Sequence, residues 1–149
     1  MNKEVLVRIK GLQNIDMQEE AIEMIVPGEY YFRNGNHFIK YDEISEDTHE
    51  KTVNIIKLTR EMMQVRKKGG TNTSMVFESR KKTETYYKTV LGSMQMGIAT
   101  TKIEFVEAED QLDVNVNYAL ELNREHIADC RLNVNVRDRK NSAAAGAGM

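Results

Sequence analysis

Hydrophobic and polar residues alternate with a period of two along much of this chain. From Leu112 to Leu122 the even positions read Leu112, Val114, Val116, Tyr118, Leu120 and Leu122, and the odd positions between them read Asp113, Asn115, Asn117, Ala119 and Glu121. The next segment repeats the pattern, with Ala128, Cys130, Leu132, Val134 and Val136 set against Asp129, Arg131, Asn133, Asn135 and Arg137. A period of two sends successive side chains to opposite faces of a sheet, so both segments read as strands with one dry and one wet face. Further segments of this kind, separated by short turn signals, predict strands over 3–14, 20–34, 36–45, 51–59, 62–68, 72–78, 83–90, 93–106, 111–122 and 126–137. Only Met17 to Met24 carries a weak helical spacing, which leaves a short helical turn there as an alternative. Pro27 beside Gly28 inside the second segment implies a bulge or an edge position, because proline has no N–H to give to a ladder.

Hairpin turns convert this pattern into faces, since directly opposed residues share one face of the sheet. Asn34-Gly35 is a type I′ signal. It pairs Phe32 with His37, Tyr30 with Ile39 and Gly28 with Tyr41, and Ile22, Met24 and Val26 mark that face as the dry one. His37, Ile39, Tyr41 and Glu43 therefore point inward, while Glu29 meets Lys40 outside. A turn at Leu91-Gly92 pairs Thr89 with Met94, Tyr87 with Met96 and Thr85 with Ile98, which turns Tyr87, Thr89 and Thr100 inward. A turn at Arg60-Glu61 pairs Leu58 with Met63, Ile56 with Val65 and Asn54 with Lys67. The last hairpin needs an odd loop, such as Asn123 to Glu125, to oppose its two even-numbered dry faces. Eight to ten antiparallel strands with one consistent dry face predict an all-β fold, either a two-sheet sandwich or a barrel, and the barrel is preferred because closure removes exposed edges.

Composition narrows the reading further. The chain has 149 residues, and its 30% charged residues nearly cancel to a formal net charge of -2. One domain over 1–139 is expected, followed by an Ala/Gly-rich tail over 140–149 with nothing to pack. No basic stripe interleaved with aromatics runs along the sequence, so no nucleic-acid partner is expected. Neither a signal-like apolar stretch nor a membrane span occurs, and a single cysteine fits a reducing compartment; a cytoplasmic protein is expected.

The residues that carry a family likeness are the Gly28-x-Tyr30 to Tyr41-x-Glu43 hairpin, the Thr52 to Lys67-x-Gly69 hairpin, and Met75-x-Phe77. Tyr87-x-Thr89-x-x-Gly92, the alternating Met94, Met96, Ile98 and Thr100, and the Tyr118 strand complete the set. On these residues the chain resembles the YwiB-like family of uncharacterised bacterial β-barrel proteins, from about Glu4 to Val136. The resemblance implies a calycin-like antiparallel barrel, akin to lipocalins, and with it the binding of a small molecule. Where the family pattern carries Arg-x-Gly this chain has Lys67-Lys68-Gly69. The Gly-x-Trp of lipocalins is absent, since the chain has no tryptophan.

The candidate ligand-binding residues follow from the faces: His37, Tyr41, Glu43, Lys67, Tyr87, Thr89, Thr100 and Tyr118 are polar or amphipathic residues on a dry face. Buried charges must pair, meet water or bind something. Three readings follow: an internal network such as Glu43 with Lys67, a ligand cavity in the interior or mouth, or a wet Glu43 at the strand end. No cofactor is expected. No metal is expected either, because His37, His49 and His126 lie on separate segments without ligand-spaced partners. Asp113-x-Asn115-x-Asn117 lacks the glycine and the terminal glutamate of a calcium loop. Neither nucleophile elbow nor phosphate loop is present. Catalysis would need Glu43 as a general base with Lys67 or a tyrosine polarising the substrate, and no nucleophile–base pair supports it. A rival to ligand binding is a filled barrel acting through its surface. Tyr31 and Phe38, with Val53 and Ile55, form an outward apolar patch suited to a homodimer or another protein.

Overall fold

Asn34 and Gly35 both take positive φ, 53° and 77°, the conformation that a two-residue type I′ turn demands. They join two of the ten strands of a computed structural model that describes residues 1, 3–15, 17–70, 72–89 and 92–139, with only the backbone described at 87–89. The strands are β1 (Glu4–Ile15), β2 (Gln18–Arg33), β3 (Asn36–Ile44), β4 (Lys51–Leu58) and β5 (Met62–Gly69), then β6 (Thr73–Glu78), β7 (Lys81–Thr89), β8 (Gly92–Glu107), β9 (Gln111–Leu122) and β10 (Glu125–Asp138). The segment Met17 to Met24 belongs to β2 apart from Met17 itself, which sits in the preceding turn. The expected tail over 140–149 lies outside the described residues.

All ten strands form one antiparallel sheet in the order β6-β5-β4-β3-β2-β1-β10-β9-β8-β7. Every sequential pair is a hairpin ladder except β6 with β7, and β1 pairs with β10 to bring the two halves together. The result is a nearly closed barrel with a seam between β6 and β7. Across that seam the Thr83 hydroxyl donates to the Val76 carbonyl at 2.5 Å.

The β2–β3 and β4–β5 registers are those expected, including Phe32 with His37, Tyr30 with Ile39, Leu58 with Met63 and Asn54 with Lys67. Two hairpins differ. In β7–β8 Tyr87 opposes Met94 and Thr89 opposes Gly92, so Gly92 belongs to β8 and not to the turn expected at Leu91-Gly92. That shift moves the pairing by two residues and so keeps its parity, with Ile98 and Thr100 buried as expected. In β9–β10 the loop is two residues, Asn123 and Arg124, both at positive φ. The odd residue is instead taken up as a bulge at Ile127, between His126 and Ala128. A second bulge at Thr101 switches β8 from even to odd inward positions, so that Ile103 and Phe105 continue the lining.

Pro27 opposes Leu6 of β1, and the ladder from β2 to β3 reaches only as far as Glu29 with Lys40. Its missing N–H thus falls on the free edge of β2, as its identity implied.

The core occupies the barrel interior. Val5, Val7, Ile39, Ile56, Leu58, Met63, Phe77, Ile98, Leu112, Val114, Val116, Val134 and Val136 are buried in it, and partly buried Met24, Val26, Val65 and Met75 pack against them. Alternation, corrected by the bulge at Thr101, accounts for this: most polar positions between them face out, although Asn135 is buried as well.

Candidate functional site

The expected inward residues separate into three groups. On β3, β4 and β5, cross-strand pairing sets Tyr41, Asn54 and Lys67 in one row and Glu43, Thr52 and Gly69 in the next. These rows lie toward the end of the barrel that carries the β3–β4 and β5–β6 connections. Lys67 Nζ donates to Glu43 Oε1 at 2.7 Å, so the internal pairing considered for these two charges is present. Their side chains keep 28% and 34% exposure. Water therefore reaches the pair, and an ion pair in such a setting stabilises the fold by only about 0–1 kcal/mol.

Behind this pair the wall is dry. Tyr41 is buried, and burial, reinforced by the Glu43 charge, holds its phenol well above the ordinary tyrosine range. It stays protonated and can donate. Asn54 is 0% exposed. Its Nδ2 makes a long 3.5 Å contact to the Thr52 carbonyl, and its Oδ1 has no hydrogen-bond partner among the described residues. An amide has two acceptor positions on that oxygen, so the wall presents an unused buried acceptor.

The second group lies on β8, β9 and β10, where Thr100, Tyr118 and Cys130 are consecutive cross-strand partners. Thr100 is 3% exposed, and its Oγ1 has no partner among the described residues. Tyr118 sets its ring edgewise on Phe77, with centroids 4.9 Å apart. Burial raises its phenol pKa, and the neighbouring Cys130 adds to the effect. Burial also pushes the Cys130 thiol up, which disfavours its thiolate.

His37 stands apart from both groups, toward the end that carries the Asn34-Gly35 turn. The alternation placed it inward correctly but not beside Glu43 and Lys67, because the two positions lie at opposite ends of β3. Its Nδ1 lies 2.6 Å from the Tyr30 hydroxyl and its Nε2 3.7 Å from Glu107 Oε1. The rings of Phe32 and Phe105 pack on it at 4.9 and 5.5 Å. Burial lowers the His37 pKa, with the Glu107 charge opposing. The unfolded chain then binds its proton more readily than the fold does. The stability His37 contributes is full above its unfolded value of about 6.5 and is lost as pH falls through the lowered folded value. Melting temperatures measured at about pH 7.5 and 5.5 are expected to fall more in the native protein than in His37→Gln; equal falls would show that His37 does not carry the dependence.

Tyr87 and Thr89 were also expected in the site; their strand pairs with β8, but their side chains lie outside the described residues. Asn54 is the residue that sequence reasoning passed over. The pairing of Asn54 with Lys67 already implied its inward direction, and the signal was a lone amide between Thr52 and Ile56 on the dry face. Among the described residues no three His, Cys, Asp or Glu side chains gather as a metal site would require.

Fold and wall together define a ten-stranded meander barrel with a packed core and a polar inner wall toward one end. The chain belongs to the family described as a domain of unknown function, DUF1934, whose model matches residues 7–134. Its fold is similar to that in the crystal structure of the ywiB protein from Bacillus subtilis. The TM-score is 0.78 at 18% identity, and the match covers 91% of this chain and 92% of that one. A search of curated proteins finds no match.

Proposed function

We propose that this barrel binds a small molecule, without transforming it, at the inner wall formed by Tyr41, Asn54, Lys67 and Glu43. The buried Asn54 Oδ1 without a partner carries the reading. A buried acceptor with nothing to accept costs roughly 1–3 kcal/mol, a cost that a ligand N–H or O–H would remove. The neighbouring groups suit the same task. Tyr41 offers a neutral donor, and the Lys67–Glu43 pair lies within reach of water, where either partner can turn to a polar substituent. Met24 and Met75, partly buried against the core, add flexible apolar side chains that can adapt to a ligand. The resemblance to calycins points the same way, as an analogy of fold. A cytoplasmic setting accords with the single buried, unpaired cysteine.

Asn54→Leu separates this reading from a purely structural one. The substitution keeps the size of the side chain and removes the idle acceptor. Thermal stability of the ligand-free protein is expected to hold or to rise. Native mass spectrometry of protein purified without denaturation is expected to show a small-mass adduct on the native chain and none on Asn54→Leu. A bare native chain, or an adduct of equal occupancy on both proteins, would remove the support that Asn54 gives.

A further inference from the structure

The outer face of β2 to β5 gathers cations that are scattered along the sequence. Two cross-strand rows lie side by side there: Glu29, Lys40, Ile55 and Arg66 in one, and Tyr31, Phe38, Lys57 and Gln64 in the other. Two adjoining concavities of about 360 and 210 Å³ run over these rows and share Phe38, Ile55 and Arg66. Their floor is Tyr31, Phe38 and Ile55; Arg33, Lys40, Lys57 and Arg66 line them, and no carboxylate does. The neighbouring Glu29 accepts the Tyr31 hydroxyl at 2.5 Å, which fixes that ring on the sheet. Arg33, Lys57 and Arg66 have no ion pair among the described residues. In a chain of net charge -2 this concentration of positive charge is local.

We infer that this face binds single-stranded nucleic acid, with bases against Tyr31 and Phe38 and phosphates on Arg33, Lys40, Lys57 and Arg66. Flat aromatic side chains on an open sheet, flanked by cations, are what sequence-tolerant binding of unpaired strands requires. Three inter-strand steps separate β2 from β5, about 14 Å, so the cations reach over more than a single phosphate and favour a polymer. A second copy of this chain fits poorly: a two-fold contact through one patch sets the patch against itself, cation facing cation. The expectation of no nucleic-acid partner rested on the linear order of residues. Here the four cations come from four strands, and only the register brings them together.

Fluorescence anisotropy with labelled oligothymidylate and oligouridylate of about twelve nucleotides tests this on the full chain. Binding is expected at about 50 mM salt, weakening on a log–log plot with a slope of about -2.8 for four phosphates on a single strand. Lys40→Gln with Arg66→Gln, both exposed positions, is expected to halve that slope to about -1.4 and to cut affinity at about 50 mM salt. Tyr31→Ala is expected to weaken binding about tenfold through lost stacking. Melting curves confirm that each variant is folded, and the charge-reversed Lys40→Glu serves as a second variant should the double fail. Absence of binding by the folded native chain would overturn the inference, as would binding indifferent to these substitutions. Equal binding of labelled polyglutamate, dependent on the cations but not on Tyr31, would overturn it in favour of an acidic polypeptide.

Discussion

Phe77→Ala is expected to lower the unfolding free energy by about 3–5 kcal/mol, the range for removing a fully buried phenylalanine. Phe77 is buried in the core and places its ring against the edge of Tyr118. Its position adds to the effect. Strand β6 has a ladder on one side only, with β5, and faces the seam on the other. Much of what holds this edge to the interior is therefore side-chain packing. Urea denaturation followed by circular dichroism measures the change. A loss under about 1 kcal/mol would mean that the interior near the seam closes over the space left behind.

Gly69→Ala is the second large effect, at about 3 kcal/mol or more, because it forces a backbone clash. Gly69 has φ of 138°, a region that alanine enters only with strain. A Cβ there would also stand 2.2 Å from the Lys51 carbonyl oxygen and 3.0 Å from Thr52 Cα. Those neighbours are backbone, so relief means parting β4 from β5 where Thr52 opposes Gly69. That parting moves Lys67, two residues away, relative to Glu43 and the Asn54 wall. Gly35→Ala is the fitting control. Its φ is also positive, at 77°, but nothing lies within 4 Å of the added carbon. Only the conformational cost of about 1–2 kcal/mol is expected there. Chemical denaturation of both variants gives the comparison, and equal losses would show that the close approach at Gly69 relaxes freely.

Much of this architecture was legible because alternation and turn chemistry act locally. Asn34-Gly35 fixed a register of five residue pairs, and the aligned apolar residues fixed β4–β5 although Arg60-Glu61 is poor turn chemistry. Bulges were not legible. The parity of the last hairpin demanded an odd residue, but nothing local distinguished a three-residue loop from a bulge at Ile127. Asn123 and Arg124 adopt the left-handed conformation together, and arginine is no signal for it. The candidate site was legible as directions and illegible as distances. Tyr41, Glu43, Lys67, Thr100, Tyr118 and His37 all sit on inward positions of their strands. Which of them stand together depends on strand order and on position along each strand, and alternation is blind to both. The same limit concealed the cationic outer face, whose successive cations, Arg33, Lys40, Lys57 and Arg66, lie between seven and seventeen positions apart in sequence on β2, β3, β4 and β5.

The seam between β6 and β7 has a consequence for how the chain acquires this shape. Starting the list of strands at β7 and continuing through β10 to β1 and on to β6, the spatial order becomes an unbroken series of neighbours. Eight of the nine ladders then join strands consecutive in the chain, and the β1–β10 pair alone joins distant ones. Hairpins of this kind form by closing short loops, at small entropic cost. The terminal strands must close a loop of nearly the whole chain, yet that cost grows only with the logarithm of loop length. The barrel can therefore assemble as two meanders, β1–β6 and β7–β10, that zip locally and dock once. In that order of events the β1–β10 ladder is the joint on which the barrel depends, and the seam is the place where the two meanders need no ladder at all.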